Sequence, residues 1–156
     1  MSIEIERKFL VRDDSWREGI VRTTPIRQGY LCTETGRSVR VRMRDDEAWL
    51  TVKGSLRGFA RPEYEYSVPL RDGLEMLEMT VATLDKRRHE VPHGAHVWEV
   101  DEFDGPNALL IVAEVELSAI DEAFEHPPWL GEDESENSAY SNSALAQHPY
   151  STWSDA

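Results

Sequence analysis

Charged side chains recur at every second position in five short segments of the chain. The positions between them are largely apolar, as Ile3, Ile5 and Phe9 are in the first segment. Because side chains on a β-strand alternate between two faces, the charged members of one segment point the same way and stand about 7 Å apart. The pattern predicts strands with one apolar and one charged face. The charged sets are Glu4, Glu6 and Lys8; Arg40, Arg42 and Arg44; Glu63 and Glu65; Glu99 and Asp101; and Glu114 and Glu116.

Like charges within these sets repel one another. A half-buried strand can turn its charged face to water, and each segment taken by itself allows that interpretation. Several such faces in one small domain instead indicate a site where groups of opposite charge lie between them. The pattern therefore leaves two alternatives, a solvated outer surface or a shared polar interior.

Periodicity and turn residues predict the order of the elements. The strands cover residues 2–12, 26–31, 38–44, 48–52, 63–69, 96–103 and 109–117. The helical segments are a turn at 14–18, where Ser15 and Glu18 have capping-box spacing, a helix over 72–82, a short helix from Ser118 to Pro127 with Asp121 at its capping position, and a helix over 137–147. Turns are predicted at Thr35-Gly36, Asp45-Asp46, 54–58 and 104–107, and residues 131–135 as an acidic loop.

This succession of elements indicates a mainly β fold of the α+β type. Many antiparallel strands with few helices favour a strongly curved or closed sheet, because closure removes unpaired edge strands. The 156 residues fit one domain. We place that domain at residues 1–148 and expect residues 149–156 to form a frayed tail.

Composition and charge exclude several classes of partner. The chain carries 17 Lys and Arg against 30 Asp and Glu, a net charge of −13, and all 17 basic residues lie within residues 1–88. Nucleic acid is therefore not an expected partner, since no excess of cations can displace its counterions. No stretch reaches the roughly 20 apolar residues that span a bilayer, and the first residues lack a signal-peptide pattern. We expect no membrane association, a cytoplasmic location and, with Cys32 alone, no intramolecular disulfide.

The charged positions offer two complementary chemistries. Arg presents a planar fork that suits phosphate oxygens, and Lys presents a compact point charge. Carboxylates bind hard cations such as Mg²⁺ or Mn²⁺, which commonly bridge to substrate phosphates. The alternative is that each cation pairs with a nearby carboxylate. The cations are Lys8, Arg40, Arg42, Lys53, Lys86 and Arg88, and the acids are Glu4, Glu6, Glu63, Glu65, Glu99, Asp101, Glu114 and Glu116.

The chain resembles the CYTH superfamily, the triphosphate tunnel metalloenzymes. The Glu-x-Glu-x-Lys signature of that family stands at Glu4-Ile5-Glu6-Arg7-Lys8. Further matches follow in order along nearly the whole chain, at residues 27–31, 39–42, 50–54, 61–66, 98–101, 113–117, 127–131 and 140–142.

The resemblance implies a closed eight-stranded antiparallel β-barrel whose tunnel holds a triphosphate and one or two Mg²⁺ or Mn²⁺ ions. By position, it implies that Lys8, Arg40, Arg42, Lys53, Lys86 and Arg88 bind phosphate oxygens, that Glu4, Glu6, Glu114 and Glu116 bind metal, and that Glu63, Glu65 and Asp101 are supporting acids. The catalytic candidates are Glu6 and Glu116, which would activate water, and Lys86, which would offset charge on the leaving oxygen.

The function expected from this resemblance is metal-dependent hydrolysis of inorganic triphosphate or a related compound. The alternatives are a class IV adenylate cyclase, a thiamine triphosphatase, or a non-catalytic protein that binds polyphosphate or a nucleotide. A homodimer is possible by analogy. Two segments depart from the family pattern. His89 replaces an aromatic residue, and Ser138, Ala139, Ser141 and Ser143 stand where related bacterial enzymes carry basic residues.

Overall fold

The computed structural model describes residues 2–34 and 36–153. In chain order the elements are β1 (Ile3–Val11), β2 (Arg22–Glu34), β3 (Arg37–Arg44), β4 (Glu47–Lys53), β5 (Ala60–Val68), α1 (Leu70–Glu78), β6 (Ala82–His93), β7 (His96–Phe103), β8 (Ile111–Glu116), β9 (Leu130–Asp133) and α2 (Asn142–Gln147). Short 3₁₀ turns occupy Ser15–Gly19, Gly105–Asn107, Ser138–Tyr140 and Tyr150–Thr152. No helix within the described ranges is long and apolar enough to cross a membrane.

Eight of the strands close into an antiparallel barrel. They follow the order β5-β4-β3-β2-β6-β7-β8-β1, and β1 pairs back with β5 to complete the ring. The short β9 pairs with the other part of β1 as one extra strand. The predicted fold class and the closed eight-stranded barrel are thus confirmed.

Strand register brings the charged sets to the inner face. In an antiparallel pair, directly opposed residues share a face of the sheet. Glu6 stands opposite Glu116, and Lys8 stands opposite Glu114. These pairs line a cavity inside the barrel, so the alternative of a polar interior holds and that of a solvated outer surface does not.

Two hydrophobic clusters stabilise the barrel from different sides. The larger one lies on the outer face of β1 and β6–β8, where Phe9, Trp16 and Trp98 pack beneath the irregular segment 117–129. The smaller one fills one end of the barrel, where Leu145 of α2 packs with Leu84 and Phe103. Because Leu145 is fully buried there, α2 is anchored against this end of the barrel.

Strand β6 is the main element that the hydrophobic pattern did not predict. The predicted helix over 72–82 ends as α1 at Glu78, and β6 begins at Ala82. Residues 85–90 of β6 are all polar, since inward Lys86 and Arg88 alternate with outward Asp85, Arg87 and His89. An alternating apolar signal is therefore absent from the middle of this strand.

The carboxyl-terminal third differs from the prediction in three places. No helix follows Ser118; its backbone N–H instead donates to Glu122 Oε1 at 2.6 Å. The predicted acidic loop at 131–135 contains strand β9. The predicted helix over 137–147 divides into a 3₁₀ turn and α2, because Ser141 is extended and its Oγ accepts a hydrogen bond from the Ala144 N–H at 3.3 Å.

The amino-terminal turn lacks the predicted capping box. Asp13 Oδ1 accepts from the N–H and the hydroxyl of Ser15, at 2.9 and 2.6 Å, so Ser15 forms no capping box with Glu18. Part of the predicted tail is ordered in the structure, where the Tyr150 N–H donates to Asn107 Oδ1 at 2.8 Å. The division of the chain at residue 148 stays a prediction. Thr35 of the predicted turn at Thr35-Gly36 and residues 154–156 of the tail lie outside the described residues.

Candidate active site

The barrel encloses a cavity of about 590 Å³. Every predicted site residue lines it except Lys86 and Asp101, which also face inward but are buried beside Arg88. Acids come mainly from β1, β5 and β8, and cations mainly from β3, β4 and β6. The cavity-lining members are Glu4, Glu6, Lys8, Arg40, Arg42, Lys53, Glu63, Glu65, Arg88, Glu114 and Glu116.

Glu6 and Glu114 form a buried carboxyl pair. Burial and the neighbouring Glu114 raise the pKa of Glu6 well above its ordinary value. Burial also opposes the charge of Glu114, but Lys8 and the hydrogen bond with Glu6 prevail and hold its pKa well below the usual range. Within this pair, Glu6 therefore holds a proton more readily than Glu114 does. The Oε1 atom of Glu114 is buried and has no hydrogen-bond partner among the described residues.

Glu4 and Glu116 continue the acidic side of the cavity. Burial opposes the charge of Glu4, but Lys53 lies 3.2 Å from its Oε1 and lowers the pKa of this carboxyl. Lys53 also lies 3.3 Å from Glu63, whose pKa burial and Glu4 raise. The pKa of Glu116 is raised by its burial and by Glu4 and Glu99.

The buried carboxylate of Asp101 binds two cations, Lys86 and Arg88. Lys86 Nζ lies 2.7 Å from Asp101 Oδ2, and both side chains are 0% exposed. Arg88 donates to the same carboxylate through Nε and Nη2, at 2.9 and 3.0 Å. Despite the burial, these cations lower the pKa of Asp101. Burial lowers the pKa of Lys86 to about 7, and its ammonium also donates to Asn142 Oδ1 of α2 at 2.9 Å.

Arg40 and Arg42 form the cationic side. Arg40 donates to Thr51 Oγ1 at 3.0 Å and lies 3.5 Å from Glu65. Arg42 donates through Nε to Gln28 Oε1 at 2.9 Å. Burial, with Arg40 and Arg88 nearby, lowers the pKa of Arg42 to about 9, which leaves it cationic at neutral pH. Because its partner Gln28 is neutral, the charge of Arg42 is available to bind an anion in the cavity.

The sequence profile of the CYTH domain matches residues 2–150. The chain belongs to the CYTH domain family. This membership confirms the resemblance stated from the motifs, and the family depends on metal ions in general.

Relatives of this CYTH chain are named for one activity. An inorganic triphosphatase of Acetivibrio thermocellus is 37% identical over 157 residues, covering 99% of this chain and 100% of that protein. An inorganic triphosphatase of Nitrosomonas europaea is 38% identical over 150 residues, covering 92% and 96%. The crystal structure of an inorganic triphosphatase superposes with a TM-score of 0.68 at 33% identity and covers 94% of this chain and 95% of that one.

Two inward-facing arginines were not among the predicted site residues of this CYTH domain. Arg44 belongs to the charged set predicted with Arg40 and Arg42 but was not named as a phosphate-binding residue. Arg61 precedes Glu63 by two positions, so the same periodicity could have identified it. Arg44 lies over the Trp49 ring, 5.4 Å from its centroid. Thr51 and Gln28 orient Arg40 and Arg42. Because they are uncharged, the alternation of charged residues could not identify them.

The two departures from the family pattern lie in different places. His89 faces outward, 5.2 Å from the Trp16 ring centroid, and hydrogen-bonds Thr23 and Glu102 at 2.8 and 2.7 Å. It therefore belongs to the outer packing. The serines line the cavity at its α2 end, with Ser138, Ser141 and Ser143 on its wall. This end of the tunnel is consequently polar and uncharged along the carboxyl-terminal segment.

The acidic side has the donor chemistry of a metal site. Within residues 2–34 and 36–153, no three His, Cys, Asp or Glu side chains converge into a ready set of ligands. The reason is visible in the contacts, because Lys53 engages Glu4 and a shared hydrogen bond joins Glu6 to Glu114. The charge of Glu114 raises the pKa of Glu6, and Glu114 Oε1 has no hydrogen-bond partner among the described residues. A hard cation would reduce this repulsion and would give that oxygen a partner. The residues therefore fit such an ion.

Proposed function

We propose that this chain hydrolyses inorganic triphosphate to pyrophosphate and orthophosphate. The observation that carries the proposal is the enclosed cavity in which carboxylates of β1 and β8 face cations of β3 and β4. Such a cavity suits a highly charged anion bound together with cations. The activity named for relatives at 37% and 38% identity supports the choice of substrate.

Five cations bind the phosphate chain in this proposal. Arg40, Arg42 and Arg88 offer guanidinium forks, and Lys8 and Lys53 offer ammonium groups on the cavity wall. In the structure Lys8 Nζ donates to the Tyr140 carbonyl oxygen at 3.2 Å, a neutral acceptor that a phosphate oxygen can replace. Lys86 contributes indirectly. Its ammonium helps to orient Asp101, and Asp101 in turn accepts a hydrogen bond from Arg88.

Glu4, Glu6, Glu114 and Glu116 are the proposed ligands of Mg²⁺ or Mn²⁺, and Glu63, Glu65 and Asp101 support the cations and ligands around them. An ion bound there supplies a Lewis acid that polarises the phosphoryl oxygens. The protein itself supplies alignment of the chain and exclusion of bulk water.

The reaction balances with one water molecule and one carboxylate. A water oxygen attacks the terminal phosphorus while the bond from that phosphorus to the bridging oxygen breaks. The water proton passes to a carboxylate, for which Glu6 and Glu116 are the candidates, since their raised pKa values favour proton uptake. Pyrophosphate leaves with the bridging oxygen. Arg88, which lines the cavity, offsets its charge in place of the predicted Lys86, which does not line it.

The test incubates the purified protein with tripolyphosphate, ATP or thiamine triphosphate in the presence of Mg²⁺ or Mn²⁺. We expect orthophosphate and pyrophosphate in equal amounts from tripolyphosphate, at a higher kcat/KM than for the other two compounds. Cyclic AMP with pyrophosphate from ATP would establish the cyclase instead. Preferred cleavage of thiamine triphosphate would establish that activity, and tight binding without product would establish a sensor.

The same proposal places the protein in the cytoplasm without a nucleic-acid or membrane partner. It leaves homodimerisation as a prediction, to be measured by light scattering. None of these features is needed for the proposed reaction, since the described residues of one chain line the whole cavity.

A further inference from the structure

Arg61 lies where the tunnel opens. In the pairing of β1 with β5 it stands directly opposite Glu4, so its side chain shares the inner face with the acids. It lines the tunnel cavity and also a second, more open cavity of about 1080 Å³. Ser138 and Ser141 line both cavities as well. Arg61 therefore stands at the passage between the tunnel and its approach.

The guanidinium of Arg61 has an unused donor. Its Nε is buried and has no hydrogen-bond partner within residues 2–34 and 36–153. A buried donor without an acceptor is uncommon in folded proteins, because the lost hydration is not replaced. The other arginine of the outer cavity, Arg37, is satisfied by Glu34 at 2.8 Å. Arg61 is thus the arginine of this passage that is suited to receive an anion.

The position of Arg61 matches one end of a bound triphosphate. From Glu4, which faces Arg61, the chain advances two residues to Glu6 of the carboxyl pair, a step of about 7 Å along β1. That step is close to the length of a triphosphate chain. A substrate whose reacting end lies at Glu6 and Glu114 therefore extends its other end to Arg61.

We propose that Arg61 binds the phosphoryl group farthest from the reacting end and so selects a chain of three phosphates over one of two. This inference rests on the proposed triphosphatase function and adds a binding residue to it. The fork of Arg61 supplies Nε and Nη donors to two oxygens of that group. Ser138 and Ser141, which line both cavities together with Arg61, are uncharged, so Arg61 adds positive charge to this part of the wall.

The test compares Arg61→Ala and Arg61→Lys with wild type in tripolyphosphate hydrolysis and in competitive inhibition by pyrophosphate and by orthophosphate. We expect Arg61→Ala to raise KM about 10- to 100-fold, as for a lost charged hydrogen bond. Its kcat should stay within about threefold of the wild-type value, because the lost contact is remote from the reacting end. The inhibition constant of pyrophosphate should rise by a similar factor, because the pyrophosphate product contains the phosphoryl group assigned to Arg61. The inhibition constant of orthophosphate, which comes from the reacting end, should be unchanged. Arg61→Lys should recover part of the affinity, since it keeps the charge and loses the fork.

The matched control is Arg71→Ala, which removes an exposed arginine of α1 whose side chain is 88% exposed. A KM for Arg61→Ala equal to that of this control would overturn the inference. An unchanged inhibition constant of pyrophosphate, or weakened inhibition by orthophosphate, would overturn the assignment to the phosphoryl group farthest from the reacting end. If wild type fails to hydrolyse tripolyphosphate, the proposed function fails, and calorimetric binding of tripolyphosphate to both variants then decides the role of Arg61 separately. Unfolding midpoints verify that each variant is folded. If Arg61→Ala does not fold, the comparison is made with Arg61→Lys.

Discussion

At the scale of single residues, burial and pairing give identical side chains different chemical states. Glu6 and Glu114 are both buried glutamates, yet the pKa of one is raised and that of the other lowered. The difference arises because the ammonium of Lys8 favours the charge of Glu114, while the charge of Glu114 disfavours that of Glu6. One proton is therefore shared within the pair.

Replacing Glu6 separates the chemistry from the fold. In Glu6→Gln the amide N–H can still donate to Glu114, so we expect the free energy of unfolding to change by less than about 1 kcal/mol. The kcat for tripolyphosphate should fall by about 10²- to 10⁴-fold, because a carboxylate that accepts the proton is lost. Stopped assays of phosphate release and urea unfolding measure both quantities. The control is Glu78→Gln at the exposed end of α1; activity of Glu6→Gln at the control level would contradict the role of Glu6.

Glu102 makes the stability of the outer surface depend on pH. Hydrogen bonds from Arg17, at 2.9 Å to each oxygen, and from His89 lower the pKa of Glu102 to about 2. A carboxyl with a depressed folded-state pKa stabilises the fold above its unfolded pKa, about 4.3, and loses this contribution as the pH falls toward the folded value.

We expect Glu102→Gln to cost about 1–2 kcal/mol at pH 6, after discounting for the solvent around the half-exposed Arg17. The difference from wild type should shrink as the pH falls and nearly vanish at pH 2. Chemical unfolding over this pH range checks the prediction, with Glu18→Gln, an exposed acid of the neighbouring turn, as the control. A difference that stays constant with pH would show that Glu102 contributes through packing alone.

At the scale of elements, one close contact determines how near α1 packs to the barrel. Helix α1 packs on β3 and β4 at Gly73, where an added Cβ would lie 2.3 Å from the Cβ of Ala48 and 3.2 Å from Met43 Sδ. The glycine therefore lets the helix approach the barrel. The same proximity explains why a residue of low helix propensity stands in the middle of a helix.

The contact predicts the sign of a substitution. Helix propensity alone predicts that Gly73→Ala stabilises the protein by about 1 kcal/mol. We expect the opposite, a loss of about 1–3 kcal/mol, because α1 must move away from β4 to admit the methyl group. Urea unfolding measures this, and Arg71→Ala on the exposed face of α1 is the control. A stabilised Gly73→Ala variant would show that α1 adjusts freely.

At the scale of the whole molecule, the barrel concentrates opposite charges that only a ligand fully satisfies. The chain has a net charge of −13, yet its cavity holds Lys8, Arg40, Arg42, Lys53 and Arg88 together. Binding of a polyanion to the folded state alone must therefore stabilise it.

We expect tripolyphosphate at 100 times its Kd to raise the free energy of unfolding by about 2.7 kcal/mol. The double variant Lys8→Ala/Arg42→Ala should lose most of this increase. It removes two cavity cations whose hydrogen-bond partners among the described residues are neutral. Thermal unfolding with and without ligand measures the effect, and Arg57→Ala, on the exposed loop before β5, should respond like wild type. An equal response of the double variant would contradict binding inside the tunnel.

Local alternation was enough to assign most of the inner face from the sequence. Glu4, Glu6 and Lys8 share a face in any extended strand, because the period of two is a property of the backbone. The same reasoning placed Arg44 on this face and extends to Arg61, which lies two residues before Glu63. The family motifs then implied the closed barrel that the structure has.

Tertiary structure decided what no local pattern contains. Strand β6 is polar on both faces at residues 85–90, and only its pairing with β2 and β7 determines that Lys86 and Arg88 point inward. The state of Glu6 depends on Glu114, which follows 108 positions later and is brought near by the register of β1 and β8. The sequence by itself determined which side chains share a strand face, since that is local geometry. Closure of the barrel determined which faces meet, which charges pair and which donors stay free, since these depend on contacts between distant residues.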